Sequence, residues 1–389
     1  MKNLKIAISG YGSISSLGTC SESIWKKYLD NQHCFNKEKI TNKEEWVAGL
    51  SSESKESISE LIKEKKYQQL DPSVLYAIAA SRIAVNQAGW NSEEEFGISI
   101  GSSRGATTSF EKYYSEFIEN GKQKVNPLTS PVTTLGNISS WVASDQNISA
   151  LTISHSATCS TSLQSIANAV AWLKAGFCTR FLAGGSEAPL TAFTIAQMKA
   201  LKIYSSLDQY YPCRSMDLKK QQNTLILGEG AASFCLELNS KKAIGFVTGI
   251  GFGTEIINHG ASLSADAICL QKSMQMALEG HDPSSVDAVI MHSPGTMLGD
   301  NSEMIAIESV FAEMKPLLTS NKWKIGHTFG ASGAMSLEMA LLMLKNDQFI
   351  QVPYLPLQKQ TKSLQKILIN AAGFGGTAFS ILVENNPHN

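Results

Sequence analysis

Arginine is nearly missing from this sequence: Arg82, Arg104, Arg180 and Arg214 are all there are, and the other basic residues are lysines scattered along the chain. With a formal net charge of −1, no strong basic field is left for nucleic acid or an anionic membrane. Metal-type cysteine spacing is missing too. The seven cysteines, at 20, 34, 159, 178, 213, 235 and 269, are odd in number and contain no CxxC pair. That pattern indicates neither a disulfide framework nor a zinc site, and a reducing compartment fits best. No stretch reaches the roughly 18 apolar residues of a membrane span. The opening MKNLKIAISGYG carries only a short apolar run, unlike a secretory signal, so the cytoplasm is the expected location.

What is present is an ordinary globular composition, 43% hydrophobic and 17% charged, over 389 residues. That length is too great for one simple core and suits two domains or one duplicated domain. Three pairs of similar stretches favour duplication. KIAISGYGSIS near Lys5 and GFVTGIGFGTE near Gly245 each read as a short strand running into a glycine turn. ALTISHSATCSTSLQSIANAVAWLKAG and KWKIGHTFGASGAMSLEMALLMLKND each pass from a strand-like piece through a small-residue turn into a helix. TRFLAGGSEAP and LINAAGFGGTAFSILVE read as strands interrupted by paired glycines. An α/β unit repeated over residues 1–240 and 241–389 is predicted, packed as one body. Regions 35–70 and 102–147 are read as helical or loop insertions.

One cysteine has an unusual setting. ALTIS reads as a strand and LQSIANAVAWLKAG as an amphipathic helix, which puts Cys159 at or beside a helix N-terminus. Unpaired N–H groups and the positive end of the macrodipole favour a thiolate there, so its pKa is expected below the ordinary value of about 8.5. The same N–H groups can hold a developing oxyanion. The bland reading is a buried cysteine acting as a small hydrophobe. Two histidines bear on the choice: His292, in VIMHSPGTMLGDNSE, and His327, in KWKIGHTFGASG, both at strand-to-turn positions. A lone histidine in such a place is usually structural. Two of them, with a helix-capping cysteine, form a nucleophile-and-partner constellation.

The runs ATCSTS, HSPGTMLGDNSE, NKWKIGHTFGASG and NAAGFGGTA, in that order, resemble the elongating β-ketoacyl-acyl carrier protein synthases, and the resemblance extends over essentially the whole chain. It implies a thiolase-like fold, in which duplicated βαβαβαββ halves stack as five α/β/α/β/α layers. It also implies a decarboxylative condensation without metal or organic cofactor, the substrates being carried on the phosphopantetheine of acyl carrier protein. By resemblance Cys159 accepts the acyl chain, and His292 and His327 hold the malonyl thioester oxygen. The backbone N–H groups of Cys159 and Phe374 form the oxyanion hole, within a loop freed by Gly373, Gly375 and Gly376. Thr296 binds pantetheine, and Lys322 organises the site, held by acidic neighbours matching Asp300 and Glu303. Family members are dimers, so a homodimer or a heterodimer with a second ketosynthase-like chain is expected, with the 100–145 segment at the interface.

The sequence departs from the family in several places. The usual HGTGT is HSPGT, with Ser293 for glycine and Pro294 for a threonine that bonds the pantetheine arm. Proline brings neither hydroxyl nor N–H. The glutamate usually nine residues beyond the second histidine is Ser336, and Glu338 two positions on falls on the wrong helix face. Thr158 stands for alanine and Ala378 for asparagine. These changes suggest a specialised branch, such as polyene or polyketide assembly. They also keep open a non-catalytic, chain-length-controlling subunit of a heterodimer, which retention of Cys159 opposes. A degradative thiolase is disfavoured because no cysteine follows Cys269, and an initiating synthase by His327 itself.

Overall fold

The computed structural model describes residues 5–91, 95–135, 137–238, 240, 242–256 and 263–386. Its first set of strands is β1 (Ile6–Ser15), β2 (Asn36–Lys39), β3 (Glu44–Ala48), β4 (Gly97–Gly101), β5 (Thr152–Ile153), β6 (Arg180–Glu187), β7 (Leu227–Gly228) and β8 (Gly230–Glu237). The second set is β9 (Gly245–Thr254), β10 (Ala288–Ile290), β11 (Leu317–Thr319), β12 (Lys366–Gly373) and β13 (Thr377–Asn385). Ten of them form one mixed sheet in the order β11-β10-β12-β13-β9-β1-β8-β6-β4-β5.

Read outward from the centre, that order is symmetric. On one side β1 pairs antiparallel with β8, β8 antiparallel with β6, and β6 and β5 run parallel to β4. On the other side β9, β13, β12, β10 and β11 repeat the same senses in the same sequence. The two sets meet at three antiparallel pairs between β1 and β9, Ile6 with Val247, Ala7 with Phe246 and Ile8 with Gly245. Duplication is thus visible in the hydrogen-bond ladder itself.

Helices fill the remaining layers. Pro72–Ala88 covers β1 and β8, and Ile268–Ala277 covers β9 and β13 with Met297–Phe311 packed beside it. Between the two strand sets lie Thr161–Lys174, against β6 and β4, and Ser332–Asn346, against β12, β13 and β8. The latter is buried on every face from Ser332 to Leu344, which a helix between two sheets must be. The α/β/α/β/α stack follows directly.

The glycines of the first repeat do not make turns. β1 runs through Gly10 and Gly12 without a break, and β9 runs through Gly249, Gly251 and Gly253. An added Cβ would come within 2.5 Å of Ala84 O at Gly10 and of Ala80 O at Gly12. At Gly249, Gly251 and Gly253 it would overlap the carbonyl oxygens of Ala277, Ser273 and Cys269. Glycine is there to let each outer helix lie on its strand. β6 is likewise continuous through Gly184 and Gly185, whereas Phe374–Gly376 does turn the chain from β12 into β13.

Two further expectations need correcting. Region 35–70 is not only helix and loop: β2 and β3 pair antiparallel, and β3 pairs in parallel with β7 as a small separate sheet. The piece before His327 is a short helix, Lys322–Ile325, not a strand. Both errors arise because partners distant in sequence decide the local conformation.

Gly251→Ala should lower the thermal unfolding midpoint by several degrees, since overpacking costs about 1–3 kcal/mol. Circular dichroism melting checks this, and an unchanged midpoint would mean that the helix can retreat from the strand at no cost.

Candidate active site

Each reactive side chain stands on a turn that the fold holds from behind. Cys159 lies just ahead of Ser160, the N-cap of Thr161–Lys174. Thr161 Oγ1 donates to Thr158 O at 2.5 Å and accepts the Ala157 N–H at 2.9 Å, while Ser160 Oγ donates to Ala157 O at 2.8 Å. His292 follows the end of β10, and His327 sits between Lys322–Ile325 and Ser332–Asn346. Its backbone is stitched to the small sheet, His327 N–H donating to Ile226 O at 2.7 Å and Gly228 N–H to His327 O at 3.1 Å.

These turns converge. Cys159, His292, His327, Thr296, Glu303, Gly373 and Phe374 line one cavity of about 300 Å³, together with the apolar Met198, Leu225, Phe329 and Pro294 and the polar Asn223. The two imidazole rings lie 5.1 Å apart at 82°. Gly375 and Gly376 form the adjoining turn at φ 88° and 68°. Lys322 and Asp300 are fully buried behind the cavity.

Burial dominates the ionisation of the site. It pulls His292 down to about 3, with the Lys322 charge adding to the effect. His327 falls well below its ordinary value through burial, then through His292 and Lys322. Both rings are therefore neutral at pH 7, each with one N–H to donate. Ser332 Oγ lies 3.2 Å from His327 Nδ1, and donation of its proton there places the ring proton on Nε2. Burial also pushes the Cys159 thiol up to about 12, Glu187 reinforcing it, while Lys322, Arg104 and a hydrogen bond from the Phe374 N–H oppose the rise. The expected depression is thus reversed. The helix terminus is a local feature, but the apolar wall around the sulfur costs an anion more than the terminus returns.

The two acidic neighbours act on Lys322 through charge, Glu303 the more strongly, while their oxygens accept hydrogen bonds from other groups. Glu303 accepts the backbone N–H groups of His292 at 2.9 Å and Ser293 at 2.7 Å, and Asn370 Nδ2 at 3.2 Å. Asp300 accepts Met216 N–H at 2.9 Å, Gly295 N–H at 3.0 Å and Lys220 Nζ at 2.7 Å. Both carboxylates satisfy a tight turn whose backbone donors have no ladder to join. Lys322 Nζ donates to Asn321 Oδ1 at 2.8 Å. Burial lowers its pKa to about 8, opposed chiefly by Glu303. Ser336 Oγ is buried without a hydrogen-bond partner among the described residues, and Glu338 accepts from Ser13 Oγ at 2.5 Å. Thr296 Oγ1 accepts the Gly299 N–H at 3.2 Å as a helix cap while still facing the cavity. Ser293 adopts φ 26°, in the range that suits the glycine it replaces.

Glu187 escapes sequence reading. Fully buried at the end of β6, it accepts Ser102 Oγ at 2.9 Å, Ser103 N–H at 2.7 Å, Arg104 N–H at 3.1 Å and Gly330 N–H at 2.9 Å. Arg104 in turn reaches Gln197 and stacks 5.8 Å above Phe329. A carboxylate closing an otherwise apolar strand in FLAGGSE was the available signal.

Comparison with known proteins gives the family and the fold. The family model "Beta-ketoacyl synthase, N-terminal domain" matches residues 3–242, and "Beta-ketoacyl synthase, C-terminal domain" matches 245–354. The 3-oxoacyl-[acyl-carrier-protein] synthase 2 of Staphylococcus aureus (strain MRSA252) is 26% identical, over 96% of this chain and 97% of the relative. Among solved structures, the ishigamide ketosynthase/chain length factor has a TM-score of 0.87 at 18% identity, covering 99% of this chain and 100% of that one. A type II PKS acyl-carrier protein in complex with its ketosynthase gives 0.85 at 18%, with the same coverage. The structural likenesses carry the fold. With family models matching residues 3–242 and 245–354, well over half of the chain, the chain belongs to the β-ketoacyl synthase family.

Proposed function

We propose that this chain is a decarboxylating condensing enzyme that joins an acyl group, held on Cys159, to a malonyl unit carried as an acyl carrier protein thioester. The observation that supports it most is the convergence of sulfur 159 and two neutral imidazoles, far apart in sequence, on one cavity.

In the first step Cys159 sulfur attacks the acyl thioester carbonyl. The bond to pantetheine sulfur breaks, and that sulfur leaves with the proton Cys159 gives up. Because the thiol is high in the free site, the proton departs as the new carbon–sulfur bond forms rather than beforehand. The N–H groups of Cys159 and Phe374 receive the carbonyl oxygen as it gains charge. In the second step the malonyl thioester loses CO2, and its carbon–carbon electron pair becomes an enolate. His292 and His327, each a neutral donor, stabilise the enolate oxygen, charge that exists chiefly in the transition state. The enolate carbon then attacks the Cys159 thioester, whose carbon–sulfur bond breaks. A 3-oxoacyl thioester is released and the cysteine takes one proton. Lys322 contributes positive charge beneath both steps.

Partners and surroundings follow from the same reading. Acyl carrier protein is the donor in both steps, as a carrier protein is bound in one solved relative. A homodimer or a paired ketosynthase-like chain completes the assembly, and no metal or organic cofactor enters the chemistry. No described helix is long and apolar enough to cross a membrane. A non-catalytic chain-length subunit is the second reading. The lack, among the described residues, of a carboxylate hydrogen-bonded to Lys322 favours it. Activity only in a mixed dimer with an active synthase would establish it.

Intact mass spectrometry after incubation with an acyl carrier protein thioester should find a covalent adduct that Cys159→Ala abolishes. His292→Ala and His327→Ala should keep the adduct but lose malonyl decarboxylation by about 10²–10³-fold, the usual cost of one oxyanion donor. An adduct persisting in the Cys159 variant would end the proposal.

Decarboxylation should show no histidine titration near pH 7, as burial keeps both imidazoles neutral there. It should fall above about pH 8, where Lys322 loses its proton, approaching about tenfold per pH unit. A rate that climbs through pH 6–7, and still does so when Glu303 and Glu187, both raised to about 7, are replaced by glutamine, would show that a histidine titrates in the working range.

A further inference from the structure

The residue before Cys159 is a threonine with φ 51°. A β-branched side chain is sterically unfavourable in that left-handed region, where glycine or asparagine is the ordinary occupant. The surrounding turn holds it there from both sides. Thr158 O accepts Thr161 Oγ1 at 2.5 Å and the Thr161 N–H at 3.3 Å, and the Thr158 N–H reaches Ser156 Oγ at 3.4 Å. Such strain persists where the structure over-determines it, and at functional sites it serves to aim something.

Here it aims a hydroxyl. Thr158 Oγ1 crosses to the other half of the chain and donates to Phe374 O at 3.2 Å. The approach is so close that a Cβ on Gly373 would collide with Thr158 Oγ1, so glycine is required at that position. The far end of the same loop is tied once more, the Glu255 N–H donating to Gly376 O at 3.0 Å. Between the ties Gly375 sits at φ 88°, with nothing within 4 Å of where its Cβ would be. The loop therefore has two anchor points and open space between them. The Thr158 anchor is the one on Phe374, whose N–H is directed at the Cys159 sulfur.

We infer that Thr158 is a positioning residue whose hydroxyl latches the Phe374 loop to the nucleophile turn, so that the Phe374 N–H meets the oxygen of an acyl group on Cys159. The inference rests on the reading of Cys159 as nucleophile. It requires the latch to matter for acyl transfer, which uses that N–H, and not for malonyl decarboxylation, which uses the imidazole pair.

Hydrogen exchange of the 373–377 segment, followed by mass spectrometry, tests the latch independently of activity. Thr158→Ala, which removes the hydroxyl and relieves β-branching, should exchange there several-fold faster than the wild type, and Thr158→Ser should restore protection. Thr158→Val, which keeps the branched shape but lacks the hydroxyl, should exchange as fast as the alanine variant, showing that the lost hydroxyl and not an altered turn frees the loop. In single-turnover assays at saturating donor, Thr158→Ala should lose acyl transfer about tenfold or more. Malonyl decarboxylation should be unaltered, and Thr158→Ser should recover transfer. Unchanged exchange in both hydroxyl-free variants would overturn the latch. Parallel loss of both half-reactions, or a serine variant as impaired as alanine, would reduce Thr158 to a structural role. Faster exchange with no acyl adduct even in the wild type would keep the latch and reject the nucleophile.

Discussion

A single buried carboxylate holds the halves of this site in register. Among the described residues no basic side chain bonds Glu187, which instead collects one hydroxyl and three backbone N–H groups. Two of those N–H groups and the hydroxyl belong to the 102–104 loop, onto which Ser156 of the cysteine turn is bonded at 3.0 Å. The third, from Gly330, belongs to the turn that carries His327 and Phe329. Hydrogen bonds to a charged acceptor contribute roughly 1.5–3 kcal/mol each, and leaving such donors buried and unmet costs a similar amount. The Cys159 turn and the His327 turn therefore share a common support. Burial nevertheless lifts Glu187 to about 7, outweighing all four bonds. The carboxylate is tolerated for the geometry it imposes, not for net stability.

That support works only because the layers around it approach closely. The glycines of β1 and β9 bring the outer helices onto the strands, and Gly185 lets Gly330 and Ser162 reach β6. Both central helices begin at the site, one just after Cys159 and the other five residues beyond His327. The repeated architecture thus delivers two equivalent helix starts to one place. Chemistry distinguishes them, a thiol at one and an imidazole at the other.

Much of this was legible in the chain. Cys159, His292 and His327 stand out because each follows an apolar segment and precedes a small-residue turn, a pattern that needs no partner to recognise. The duplication was legible for the same reason. What escaped depends on neighbours distant in sequence. Gly10 and Gly251 look like turn formers until the helices lying on them are known, and Lys322–Ile325 looks like a strand by its alternation. The ionisation of Cys159 was misjudged because a helix terminus is written locally, whereas the enclosing wall of Met198, Leu225 and Phe329 is not. Asp300 and Glu303 were placed at the right turn, but only the fold shows that their oxygens take the backbone N–H groups of His292, Ser293 and Gly295 and reach Lys322 by charge alone.

The small sheet carries a consequence of its own. β2 and β3 form a peripheral hairpin whose outer strand is mostly exposed, yet β3 pairs with β7, and the residues around β7 bond the His327 backbone on both sides. Lys324 fastens the same turn from below, its Nζ bound to Asp30 Oδ1 at 2.7 Å and to Gln32 O at 2.6 Å just ahead of the hairpin. Surface hairpins are where sequences drift most freely during descent. In this molecule one intervening strand connects that hairpin to the backbone of an imidazole that lines the cavity.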